Sequence, residues 1–164
     1  TSVHENPTAN QLTEIAISSA RVVRLFGFDP KVAFVSHSTF GQPATDSTKH
    51  IRDAVEILQD KKVDFQFDGE MQPDVALNEE YKELYSFSGI VGNANILIMP
   101  GQHSAAISYK MMKSLGGAKV IGPLLIGLGQ PIEIAPLRSS TSDILNLASI
   151  AAYSAGVINY NKKN

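Results

Sequence analysis

Hydrophobic residues along the chain recur first at helical and then at strand spacing, which predicts alternating helices and strands. Within residues 8–26 the apolar positions lie on one helical face, and Thr8 and Gln11 have the spacing of a capping box. Gly27 and Pro30 predict the end of this helix. Four more helices are predicted: one capped by Asp46 or Ser47 and reaching Leu58, one poorly patterned around residues 75–84, one capped by Ser104 and closed by Gly116 and Gly117, and one over residues 141–155.

Short apolar runs between the helices predict β-strands. Val63, Phe65 and Phe67 alternate with polar residues, which is the pattern of a strand with one buried face. Residues 96–99 are continuously apolar, as expected of a strand covered on both sides. Three further strands are predicted over residues 31–35, 119–121 and 132–135. Strands alternating with helices in this way indicate an α/β fold with a mainly parallel sheet flanked by helices.

Composition and charge narrow the class of protein. The 164 residues suffice for one ordinary domain, and 43% of them are hydrophobic. A net charge of -2 without a basic stripe argues against a nucleic-acid partner. The absence of cysteine excludes disulfides and thiolate metal sites and fits a cytoplasmic location. No apolar run approaches the ~18 residues that a membrane span needs, so no membrane partner is expected.

A loop rich in hydroxyl groups follows the predicted strand 31–35. Ser36, Ser38, Thr39 and Gly41 precede a predicted helix, and hydroxyls with free backbone N–H groups suit a phosphate or another oxyanion. The alternative is a turn that satisfies its own backbone. The loop is therefore a candidate anion site, although it has neither of the usual nucleotide-binding glycine motifs.

Polar residues also follow the predicted strand that ends at Phe67. Asp68, Glu70, Gln72 and Asp74 lie where an open α/β sheet binds its ligands, although an acidic solvated loop is the alternative interpretation. The histidines show no metal-ligand spacing and are interpreted as solvated or core-edge residues. No metal site is predicted.

Four segments, in the same order along the chain, resemble the phosphate acetyl/butyryl transferase family. They are residues 32–41 with an LSxSTxG-like element, 68–77 reading DGEMQPDVAL, 95–100 followed by 108–110, and 121–131 with a GPxLxGxxxP-like stretch. The form with Glu70 and Met71 is typical of such domains fused to the C-terminus of bacterial malic enzymes. The match corresponds to the C-terminal half of a transferase domain. Together with the lack of an initial Met, it predicts that the sequence is a fragment of a longer protein.

The resemblance implies a two-lobed fold. Residues 8–130 would form the central lobe, and residues 131–164 would supply a strand and a helix that belong with a second lobe absent from the sequence. It also implies a homodimer, or a higher homo-oligomer, that pairs through helical faces. The predicted helix 104–115 is apolar over more than one stripe, which agrees with such pairing.

The resemblance also identifies where acetyl transfer would take place. Family members have a Ser–Arg pair whose guanidinium holds the acyl phosphate, followed by an Asp that acts as a base on the coenzyme A thiol. This chain retains Asp143 but has Pro136 and Leu137 in place of the pair, with Arg138 one position late. Residues 100–106 likewise lack the polar groups of the family's PDLNTGN turn. Without the Ser–Arg pair, the transition state loses its charge stabilisation, which is usually the largest catalytic contribution. No catalytic residue is therefore predicted.

The resemblance therefore predicts a catalytically degenerate domain that binds acetyl-CoA, or a related acyl-CoA, as an allosteric effector. An N-terminal malic-enzyme domain in cis, with NADP and Mg or Mn, would decarboxylate malate to pyruvate. Two alternatives remain. One is an active phosphate acetyltransferase, which Pro136 and Leu137 disfavour, and the other is a pure oligomerisation module. The predicted effector-binding residues are Ser36, Ser38, Thr39, Gly41, Gln72, Asp74, Pro123, Leu124, Arg138 and Asp143.

Overall fold

The computed structural model describes residues 4–117 and 119–161, which divide into two compact units. Residues up to Ala105 form the first unit and residues from Ala106 onward form the second. The predicted lobe boundary after residue 130 stays a prediction. The helices are α1 (Ala9–Leu25), α2 (Lys49–Lys61), α3 (Pro73–Leu77), α4 (Glu79–Lys82), α5 (Gln102–Leu115) and α6 (Thr141–Asn161), and the strands are β1 (Lys31–Val35), β2 (Gln66–Met71) and β3 (Ile96–Ile98).

The three strands form a parallel sheet in the order β2-β1-β3. The central strand β1 is buried on both faces. One face packs on α1 and α2 through a cluster that includes Leu12, Phe34 and Leu58. The other face packs on a smaller cluster around Val35 and Met71. This arrangement confirms the predicted α/β fold with a parallel sheet flanked by helices.

The start of α1 is the capping box predicted from the sequence. Thr8 Oγ1 accepts a 3.3 Å bond from Gln11 N, and Gln11 Oε1 accepts a 2.9 Å bond from Thr8 N. The helix ends at Leu25, and Gly27 has a φ of +83°, a conformation that glycine adopts without strain. Residues 31–35 form the predicted strand that follows.

Strand β2 lies further along the chain than predicted. It starts at Gln66 rather than near Val63 and continues through Met71, so residues 68–70 are strand and not loop. The reason is pairing with β1. A Cβ on Gly69 would lie 2.7 Å from Phe34 Cβ, so the glycine allows the two strands to approach closely.

Several other element predictions were wrong. A 3₁₀ turn over Asp46–Thr48 precedes α2, and α5 starts at Gln102, ahead of the predicted cap Ser104. The predicted helix around 75–84 is divided between α3, α4 and a 3₁₀ turn over Glu83–Tyr85. Residues 119–121 and 132–135 are not strands, because no described residue pairs with them. Helix α6 extends past the predicted end at 155.

Within residues 4–117 and 119–161, no helix combines the length and the apolar character needed to cross a bilayer.

Candidate ligand site

Residues 36–41, here called the hydroxyl loop, leave the end of β1 beside the end of β2. Ser36 N donates a 2.9 Å bond to Met71 O, and Phe40 N donates a 2.7 Å bond to Glu70 O. The carboxyl ends of parallel strands are where ligands bind in open α/β sheets. The hydroxyl loop is therefore both correctly placed for a ligand and bonded along its length to β2.

The side chain of Glu70 lies against the hydroxyl loop and is fully buried. Its Oε1 accepts a 2.8 Å bond from Ser38 Oγ and a 2.9 Å bond from Gly41 N. A buried carboxylate is costly unless its oxygens are hydrogen-bonded and its charge is paired. Two donors expected to face a ligand anion therefore face a carboxylate of the chain itself.

Arg52 of α2 supplies the opposite charge. Its Nη1 lies 3.2 Å from Glu70 Oε1 and 3.4 Å from Oε2, and its side chain remains 33% exposed. The same nitrogen donates a 2.6 Å bond to Thr48 Oγ1, and Nη2 donates a 3.4 Å bond to Thr45 O. The guanidinium is therefore oriented by three residues, one of which is the buried acid.

Gln72, the first residue after β2, holds the outer side of the hydroxyl loop. Its N donates a 3.1 Å bond to Thr39 Oγ1, and its Nε2 donates a 2.8 Å bond to His37 O. Asp74 lies exposed in the first turn of α3, where its Oδ1 accepts a 3.0 Å bond from Val75 N. Asp74 is thus accessible, whereas Gln72 is engaged with the loop.

Three aromatic rings pack beside the hydroxyl loop. The ring of Phe40 lies 5.4 Å from that of Tyr85 and 4.8 Å from that of Phe87, measured between centroids. Phe40 has a φ of +48°, which is uncommon for a bulky residue. The ring contacts and the bond from Phe40 N stabilise this conformation. Because Phe87 is exposed, the aromatic cluster gives the loop an apolar flank that reaches solvent.

A small pocket in the second unit lies beside the start of α6. Pro136, Ser139 and Asp143 line it together with Lys113 and four other residues. Its volume is ≈ 10 Å³, about the space of one water molecule. Arg138 is exposed and does not line the pocket. The pocket therefore has an acid and a lysine but no guanidinium.

The carboxylate of Asp143 is engaged by the start of α6. Its Oδ2 accepts bonds of 2.9 Å from Ser140 N and 2.8 Å from Ser140 Oγ, and Asp143 N donates a 3.2 Å bond to Ser140 Oγ. The backbone and side-chain bonds from Ser140 lower the pKa of Asp143, and the charges of Lys113 and Lys119 act in the same direction. A lowered pKa weakens Asp143 as a base, because a general base works best with a pKa near the working pH.

Replacing Asp143 by Asn should lower the midpoint of thermal unfolding at neutral pH, and the difference from wild type should disappear in acid. The folded-state pKa lies below the ordinary value of 3.8, so the stabilisation is complete above that value and is lost as the pH falls through the folded-state pKa. Thermal unfolding between neutral pH and pH ~2 measures this, with Asp60→Asn as a surface control. A difference that does not change with pH would contradict the capping role.

The predicted effector-binding residues fall into two groups. Five lie together at the ends of β1 and β2, namely Ser36, Ser38, Thr39, Gly41 and Gln72, and Asp74 follows two residues later. The other four lie in the second unit. Pro123 and Leu124 follow Gly122, whose carbonyl accepts a 3.2 Å bond from Tyr109 Oη, and Arg138 and Asp143 flank the start of α6. Their contacts with a ligand stay a prediction.

Glu70 and Arg52 are the site residues that the sequence analysis missed. Glu70 was noted only as one of several polar residues at a strand end, and Arg52 was not noted at all. The available signal was the position of Glu70 directly before the apolar Met71 in a segment with strand spacing. That position indicates that the Glu70 side chain faces inward only if β2 is known to continue past Phe67.

The histidines His4, His37 and His103 are exposed, and His50 is half-buried. His50 and His103 line one open cleft at the start of α5, together with Glu5 and Pro7. In the part of the chain that the structure describes, no group of three or more His, Asp or Glu side chains could hold a metal ion.

Comparisons with known proteins agree with this geometry. The sequence profile of the family described as "Phosphate acetyl/butaryl transferase" matches residues 1–152. The chain is 48% identical over 156 residues to an NADP-dependent malic enzyme of Rhizobium meliloti, covering 95% of this chain and 20% of that enzyme. It is 36% identical over 155 residues to a phosphate acetyltransferase of Clostridium acetobutylicum, covering 93% of this chain and 46% of that enzyme. The chain thus spans a fifth to a half of these relatives.

Solved structures show the same likeness. A phosphotransacetylase from Streptococcus pyogenes matches with a TM-score of 0.88 and 36% identity, covering 94% of this chain and 47% of that one. The EutD phosphotransacetylase from Staphylococcus aureus matches with a TM-score of 0.85 and 31% identity, covering 94% of this chain and 48% of that one.

Proposed function

The chain belongs to the phosphate acetyl/butyryl transferase family, and we propose that it is a transferase-like domain that senses acetyl-CoA for a malic enzyme without transferring acetyl groups. Domains of this kind occur in malic enzymes and in phosphate acetyltransferases. The whole protein would oxidise and decarboxylate malate to pyruvate. NADP and a divalent metal would bind to a malic-enzyme domain preceding this one.

The observation that carries the proposal is the composition of the pocket at the start of α6. Pro136 lines it at the position where the family's Ser–Arg pair is expected, and Arg138 is exposed and not among the lining residues. Without a planar, bidentate cation, an acyl phosphate loses its main source of charge stabilisation. Asp143 is present, but its carboxylate accepts two hydrogen bonds from Ser140, which makes it a weak base.

The hydroxyl loop supports the binding part of the proposal. It is bonded to β2 and Gln72 through its backbone and side chains, so its shape exists before a ligand arrives. Preformed sites avoid part of the entropy cost of binding. A ligand that binds there without reacting regulates a distant site only if it prefers one state of the whole protein.

Specific observations also favour the two alternatives. Identity of 36% to a phosphate acetyltransferase and the retained Asp143 favour an active transferase. A pure oligomerisation module is favoured by α5, where Ile107, Met111 and Leu115 are more than half exposed. The sensor is preferred to the transferase because the pocket lacks the guanidinium, and the higher identity, 48%, is to a malic enzyme.

The full-length protein should produce no acetyl-CoA from acetyl phosphate and coenzyme A. The expected turnover is below ~1 s⁻¹, the lower end for working enzymes. The double variant Pro136→Ser, Leu137→Arg should gain a trace of activity, because it restores the cation at its expected position. The assay is acetyl-CoA formation at saturating substrates.

The matched control is Pro136→Ser, Leu137→Gln, which changes the same two positions without adding a cation and should stay inactive. Wild-type turnover above ~1 s⁻¹ would show that the missing pair is not needed, and the degenerate-site proposal would be wrong.

A further inference from the structure

We propose that Glu70 is a positioning residue whose carboxylate acts as an internal anion and holds the hydroxyl loop in its ligand-binding shape, with Arg52 as its counter-ion. The inference rests on the proposed function in one respect, since acetyl-CoA is the ligand whose binding reports on the loop. It also divides the loop residues into those that hold its shape and those that face a ligand.

The position of Glu70 is fixed by the residue before it. The preceding Gly69 lies so close to β1 that a Cβ would stand 2.7 Å from Phe34 Cβ and 2.8 Å from Phe34 O. Phe34 is itself fully buried at the centre of the sheet. The backbone at Gly69 therefore cannot move toward β1, and the buried side chain of Glu70 starts from a fixed point.

Glu70 accepts hydrogen bonds from three positions of the hydroxyl loop. Glu70 Oε1 accepts from Ser38 Oγ over 2.8 Å and from Gly41 N over 2.9 Å, while Glu70 O accepts from Phe40 N over 2.7 Å. Bonds to an ionised acceptor are shorter and about twice as strong as bonds between neutral groups. The carboxylate thus occupies the place that a bound anion takes in a loop of this composition.

The bonds to Glu70 determine which groups of the hydroxyl loop remain for a ligand. Ser38 is fully buried and donates to Glu70, and the N–H of Gly41 is used in the same way. Ser36 is half-buried, and its Oγ lies 3.5 Å from His37 Nδ1, at the limit of a hydrogen bond. Ser38 and Gly41 therefore hold the loop in shape, and Ser36 is the hydroxyl that can face the ligand.

The test measures the affinity of the full-length protein for acetyl-CoA by calorimetry, with Glu70→Ala as the main variant. We expect binding at least ~10-fold weaker, because two donors lose their acceptor and the loop loses its shape. Added formate, a carboxylate small enough for the vacated space, should restore part of the affinity in Glu70→Ala and leave wild type unchanged. Chloride at equal ionic strength is the control for formate, and Glu56→Ala, which replaces an exposed acid on α2, is the control variant.

A second measurement does not depend on ligand binding. Amide hydrogen exchange at Phe40 and Gly41 should become ~10-fold faster or more in Glu70→Ala and slow again with formate. If wild type shows no affinity for acetyl-CoA, the proposed function fails, and hydrogen exchange alone decides the role of Glu70. If Glu70→Ala does not fold, Glu70→Gln replaces it, and faster exchange at Gly41 is again expected because the charged acceptor is gone. Wild-type affinity and wild-type exchange in a folded variant would overturn the proposal.

Discussion

Replacing Arg52 by Met is expected to lower the free energy of unfolding by ~3–5 kcal/mol, the usual loss when a buried charge is deprived of its partner. Met keeps most of the side-chain length and removes the guanidinium. Glu70, which is fully buried, would then retain only the bonds from Ser38 and Gly41. Two neutral donors do not compensate for the loss of the counter-charge at 3.2 Å.

Amide exchange of β1 in the full-length protein measures this loss, because residues 32–35 are buried and report on unfolding of the first unit. Protection should fall by ~100- to 4,000-fold, given that 1.4 kcal/mol corresponds to a factor of ten. Arg52→Lys should lose less protection, because lysine keeps the positive charge although it lacks the planar guanidinium. Arg52→Met combined with Glu70→Met should be less destabilised than Arg52→Met alone, because no unpaired charge remains. A loss below ~1 kcal/mol would mean that the pair behaves like a surface ion pair.

Local signals in the sequence were sufficient for the first helix and the first strand. The capping box at Thr8, the stop at Gly27 and the apolar run of β1 each depend on neighbouring residues, and each was predicted correctly. The end of β2 was not, because residues 68–70 are polar and contain glycine. Their strand conformation is decided by pairing with β1 and by the approach of Gly69 to Phe34, and neither is visible locally.

The candidate site shows the same limit. Ser36 and Gln72 could be placed at strand ends from the sequence, because the ends of parallel strands meet at one edge of a sheet. Glu70 and Arg52 are 18 residues apart on a strand and a helix, and no spacing rule connects them. The sequence also could not predict which donors of the hydroxyl loop face inward, because this depends on the position of the buried Glu70 carboxylate.

In the second unit, the apolar residues of 119–121 and 132–135 led to the wrong prediction of two strands. A strand satisfies its backbone groups only through a neighbour, and the described part of the chain supplies none to either segment. Helix α6 was predicted without a cap, and the structure supplies one in the bonds between Ser140 and Asp143.

Acetyl-CoA is expected to shift the malate response of the full-length protein by ~5- to 150-fold, which corresponds to a typical coupling free energy of ~1–3 kcal/mol. The shift requires only that acetyl-CoA binds one state of the protein better than another. Nothing in this mechanism requires turnover, so the loss of the Ser–Arg pair does not weaken it. Thr39→Ala and Asp74→Asn should reduce the shift, because the buried Thr39 Oγ1 accepts the bond from Gln72 N that holds the hydroxyl loop, and the exposed Asp74 is predicted to contact the effector.

The most direct test of the central claim is a titration of acetyl-CoA into a malate oxidation assay of the full-length protein with NADP and Mg or Mn. Coenzyme A without the acetyl group is the control. The sensor account predicts that acetyl-CoA shifts the dependence of the oxidation rate on malate concentration, and that coenzyme A shifts it less. No acetyl-CoA should be formed or consumed. A malate curve that stays unchanged at millimolar acetyl-CoA would contradict the account and favour an oligomerisation module.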